Sequence, residues 1–66
     1  MTTERISIRD RGPGLLDIIV NDQHSGQVIK TEHGWQQISL DGAPVGQPNP
    51  VKAYAILDTL ERIRNA

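Results

Sequence analysis

Cysteine and phenylalanine are absent from this 66-residue chain, and tryptophan and tyrosine occur once each. Without cysteine there is no disulfide and no thiolate metal site, and the absence fits a reducing compartment. Without phenylalanine, any core must be aliphatic. Apolar runs are short, as in Ile18-Ile19-Val20, which excludes a transmembrane helix. The opening MTTERISIRD has no apolar stretch of the secretory kind, so a cytoplasmic location is expected. Neither sign of charge dominates: seven basic and eight acidic residues leave a net charge of −1. There is no basic block to neutralise a phosphate backbone and no acidic tail.

What is present fits one small domain spanning 1–66, with a frayed start at 1–4, strands and hairpins over 5–45 and a helix over 49–64. A chain of this size buries only about 60% of its unfolded surface, so its stability is marginal. A homodimer interface would be a second source of buried apolar area.

The helix is the organising element. Asn49 suits an N-cap and Pro50 the first helical position. Ala53, Ile56, Leu57, Leu60 and Ile63 recur at helical spacing, and Arg62 and Arg64 favour the C-terminal end of the dipole. Upstream, residues 5–10 alternate, with Ile6 and Ile8 on one face and Arg5, Ser7 and Arg9 on the other. Residues 10–14 read as a turn. Residues 15–21 form a central strand with Leu16, Ile18 and Val20 on one face and Leu15, Asp17 and Ile19 on the other. A hairpin loop is expected over 22–26, a strand over 27–32, a tight connection at His33-Gly34 and a strand over 35–40. Asp41-Gly42 signals a hairpin, followed by a short edge at 43–45 and a loop over 46–48.

The expected fold is therefore α+β: an antiparallel meander of three to five strands with one C-terminal helix packed on one face. The expected core is Ile6, Ile8, Leu16, Ile18, Val20, Val28, Ile38, Leu40, Ala53, Ile56, Leu57, Leu60 and Ile63. Leu57→Ala, at about 2–5 kcal/mol, is expected to threaten the fold.

Signals for chemistry are sparse. His24 and His33, with Asp22 and Glu32, sit at opposite ends of one expected strand, roughly 20 Å apart, too far for a shared metal. Ser7, Ser25 and Ser39 stand in no triad pattern. Asp17 and Asp58 read as solvated charges. No glycine loop cradles a phosphate; the prolines of Gly46-Gln47-Pro48-Asn49-Pro50 remove the donors it would use. No catalytic residue, metal ligand or cofactor is expected, and the chain reads as a non-enzymatic interaction module.

Two binding readings remain. In the favoured one, a protein partner or a second copy docks through a sheet face or edge, with Trp35, Leu15, Ile19, Arg9 and Gln37 as anchors on the face opposite the helix. In the alternative, Arg5, Arg9, Lys30 and Trp35 bind nucleic acid, the indole stacking on bases. The string from Trp35 to Leu60, a Trp-led strand, a Gly-containing turn and a helix with Lys52-Ala53-Tyr54-Ala55, resembles the three-strand-plus-helix DNA-binding modules of recombinases. It also resembles the final strand and helix of double-stranded-RNA-binding domains, whose first helix and basic helix start this chain lacks. That resemblance covers less than half the chain and implies a nucleic-acid partner.

Overall fold

The computed structural model describes residues 4–65. Its elements are β1 (Ile6–Gly12), β2 (Leu15–Val20), β3 (Gln23–Thr31), β4 (Gly34–Ile38), β5 (Pro44–Asn49) and α1 (Lys52–Arg64). The five strands form one sheet in sequence order, and every neighbouring pair is antiparallel. This is the expected α+β meander with its helix last. Of the frayed segment expected at 1–4, only Glu4 lies within the described residues. Its Oε1 accepts from Arg64 Nε at 2.9 Å and Nη2 at 2.7 Å.

The turns explain why the strands begin where they do. Asn21 and Asp22 have φ of 52° and 66°. Two consecutive left-handed residues make the tight hairpin turn whose twist matches its strands. β3 therefore starts at Gln23, and of the loop expected over 22–26 only Asp22 is turn while 23–26 is strand. The extra residue, Ser25, is absorbed by a bulge: Ile18 pairs with Gly26 and Ile19 with His24.

β5 is also longer than the expected 43–45 edge, and the expected loop over 46–48 belongs to it. Its ladder with β4 shifts register between Trp35 and Gln37. The Gln36 side chain fills the gap, its Nε2 donating to the carbonyls of Val45 at 2.9 Å and Gly46 at 3.3 Å. Asn49 closes the strand opposite Trp35, so it belongs to the sheet and does not cap the helix. Its Oδ1 accepts from the Val51 N–H at 2.9 Å. That side-chain turn delays the helix to Lys52, with Val51 in the cap position in place of Asn49.

The core is Leu16 and Ile18 of β2, Val28 of β3, and Ala55 and Leu60 of α1, with Val20, Trp35, Ile56 and Ile63 packed against it. The helix lies over β3, β4 and β5. Its contact face is set by small residues. A Cβ added at Gly26 would stand 3.6 Å from Thr59 Cγ2 and 3.7 Å from Ile63 Cδ1. Thr59 is fully buried at this close approach, its hydroxyl donating to the Ala55 carbonyl at 2.8 Å.

This placement corrects the expected core in three places. Ala53 and Leu57 are exposed because the stripe facing the sheet is Ala55, Ile56, Thr59, Leu60 and Ile63. Leu40 is exposed in the turn after β4, and Ile38 is half-buried, paired with Gln27 on the face away from the helix. Ile6 and Ile8 are exposed because α1 does not extend over β1.

Candidate functional site at the open edge strand

β1 pairs only with β2, so one of its edges is bare. Ile6 lies opposite Val20 and Ile8 opposite Ile18, on the face that carries the core. With the helix displaced toward β5, these side chains stay 37% and 40% exposed. The helix flanks fix which residues overlook them. Arg62 reaches Gln37 of β4, and Arg64 reaches Glu4 beside β1. Leu57, two helical turns before Arg64 on the same flank, is 59% exposed. Ile6 and Ile8 thus form an apolar strip beside the bare edge, and Leu57 is a further exposed apolar residue on the helix.

The backbone of β1 is divided by the antiparallel ladder. The Arg5 carbonyl accepts from the Asn21 N–H at 2.7 Å, and the Arg5 N–H donates to Asn21 Oδ1 at 2.9 Å. Hydrogen-bonded positions alternate along a strand. Ser7 and Arg9 therefore turn their N–H and C=O groups to β2, and Ile6 and Ile8 turn theirs outward. The other edge differs. Both edge ladders carry a bulge, in β1 only at its end between Asp10 and Gly12, but Pro44, Gly46 and Pro48 also interrupt β5, a defence against strand addition. Ile6 to Asp10 carries neither proline nor lysine.

The face away from the helix presents Arg9, Leu15, Asp17, Ile19, His24 and Gln27. Asp17 is not solvated as expected: its side chain is 3% exposed. Arg11 Nε lies 2.6 Å from its carboxylate, His24 Nε2 3.1 Å and Gln27 Nε2 3.4 Å. Long side chains from both neighbouring strands roof it over, which the alternation of β2 alone does not reveal. Arg5 pairs with Asp22, and Arg11 with Asp17. Arg9 has no ion-pair partner among the described residues.

The five anchors expected on one face are split. Arg9, Leu15 and Ile19 share the face away from the helix, with Leu15 and Ile19 half-buried. Trp35 and Gln37 lie on the helix side. The register Lys30 with Trp35 and Val28 with Gln37 puts both with the core, and Gln37 Oε1 accepts from Arg62 Nη1 at 2.8 Å. Trp35 and Ile38 lie on opposite faces of β4, and it is Trp35 that faces the core.

The nucleic-acid set is also divided. Lys30 and Lys52 hold their ammonium groups 5.8 and 5.4 Å from the Trp35 ring centroid, in cation–π range. Arg5 sits at the opposite end of the strands, roughly 20 Å away. Lys52 was not among the candidates. Its approach to Trp35 follows from the delayed helix start, which no local pattern discloses. His24 stands on Asp17, and His33 Nε2 lies 3.4 Å from Glu32. A depression of about 500 Å³ on α1 is lined by Asp58, Glu61, Arg62 and Asn65. No helix among the described residues is long and apolar enough to cross a membrane. Comparison with family models, with curated proteins and with solved structures gave no match.

Proposed function

We propose that this chain is a non-enzymatic docking module that engages a protein partner through β1 and the apolar strip beside it. The observation that carries this reading is a bare edge strand whose Ile6 and Ile8 the helix leaves uncovered. A partner strand laid on that edge would satisfy the outward backbone groups and cover the isoleucines together, the combination that gives strand addition its affinity. Of the anchors expected from sequence, Arg9 stays on this surface, and Leu15 and Ile19 flank it on the reverse face. Trp35 and Gln37 serve the fold by holding the helix to the sheet.

The test compares partner capture by the wild-type chain with capture by Ile8→Lys, which puts a charge on the strip without removing a backbone hydrogen bond between β1 and β2. Tyr54→Lys, on the outer helix surface, is the control. Loss of the captured protein with Ile8→Lys alone supports the reading. Equal capture by all three chains contradicts it.

The grouping of Lys30, Lys52 and Trp35 favours a second reading, nucleic-acid binding on the helix side. It requires quenching of Trp35 fluorescence by a single-stranded oligonucleotide, weakening steeply as salt rises. Absent or salt-insensitive quenching removes it.

A further inference from the structure

We infer, resting on the docking reading above, that the segment taken by β1 is an extended peptide with apolar residues at alternate positions and acidic residues between them. The two faces of β1 specify that pattern. On the helix side, Ile6 and Ile8 ask for apolar neighbours across the new ladder. On the reverse side stands Arg9, whose guanidinium lacks an ion pair among the described residues while Arg5 and Arg11 are already matched to Asp22 and Asp17. Directly opposed residues of antiparallel strands hold their Cβ atoms about 5 Å apart. A carboxylate opposite Arg9 therefore meets it, and the residues on either side of that carboxylate fall on the isoleucine face.

A second copy of the chain fits the same edge poorly. Antiparallel self-pairing centred on Ser7 sets Arg5 against Arg9. Centred on Ile8 it sets Arg5 against Arg11, and centred on Arg9 it sets Arg9 against itself. Like charges directly opposed across a ladder are destabilising. The arginine face of β1 thus disfavours the registers that would pair most of this strand with a second copy, and Arg9 favours an acidic strand.

The experiment titrates the isotopically labelled full chain with two end-blocked peptides the length of β1. One alternates valine with glutamate, the other valine with lysine. The glutamate peptide is expected to bind about tenfold more tightly than the lysine peptide, to give the Ile6 and Ile8 amides new protection from exchange, and to leave the chain monomeric. Arg9→Glu is expected to reverse the preference. Equal binding of both peptides with Ile6 and Ile8 protected would overturn the acidic specification while sustaining the edge as the docking surface. No binding of either peptide up to about 1 mM, or binding that protects other amides, would overturn the inference. A concentration-dependent dimer protecting Ile6 and Ile8 would replace the peptide by a second copy. Full protection of both amides in the free monomer would mean that the edge is closed, and the docking reading would fall with it.

Discussion

Asp17 depends on side chains from both neighbouring strands for its polar partners. Its carboxylate is nearly out of water, whereas the Arg11 side chain that pairs with it is 54% exposed. Arg11→Met leaves a buried charge with one partner fewer, and is expected to cost about 1–3 kcal/mol in chemical denaturation. Asp17→Asn leaves an exposed guanidinium instead, so its cost should be smaller; the reverse order would contradict this account. Gly34, at φ +124°, offers a second residue-scale test, since a Cβ there would stand 2.6 Å from the Asn49 carbonyl oxygen. Gly34→Ala should destabilise by about 1–3 kcal/mol, because strain adds to a backbone clash. The Ser39 hydroxyl, and after it the Ala43 N–H, hold the exposed Asp41 carboxyl below its ordinary value. A depressed folded value means that this turn's contribution is present above the ordinary carboxylate range and is lost as pH falls through the folded value. The Ala43 amide resonance should follow that titration, and Asp41→Asn should abolish it. Gly34 and the Asp41 turn were legible as turn chemistry. The burial of Asp17 was not, because its cover comes from β1 and β3.

The helix carries the clearest contrast between elements. Leu60 is 7% exposed and belongs to the core, whereas Leu57 is 59% exposed. Leu60→Ala should cost about 2–5 kcal/mol and Leu57→Ala about 0.5 kcal/mol or less, measured as midpoints of unfolding. Equal losses would mean that the helix packs on the stripe read from sequence. That stripe was ambiguous for a physical reason. Apolar residues from Ala53 to Ile63 wrap more than half of the helix, so periodicity marks a helix without fixing its rotation. Gly26, Ala55 and Thr59 settle the rotation by allowing close approach, and small or polar residues do not announce themselves as core. β5 was legible only in its first residues, because its ladder depends on the Gln36 side chain.

At the scale of the molecule, the order of the strands follows from short turns, and it could be anticipated from Asp10 to Gly14, from His33-Gly34 and from Asp41-Gly42. The position of the helix across the sheet could not. The chain returns from β5 directly into α1, so the helix covers the strands nearest its entry and leaves the first strand bare. The exposure of Ile6 and Ile8 is thus a property of the whole topology, and an alternating pattern that reads locally as half-buried becomes a surface. This bare edge should be open in the free chain. Amide exchange of the dilute monomer, followed by NMR, tests it directly. Exchange should alternate along β1, with Ser7 and Arg9 protected by the ladder to β2 and Ile6 and Ile8 exchanging as solvent-facing amides. Protection of Ile6 and Ile8 equal to that of Ser7 and Arg9 would contradict it.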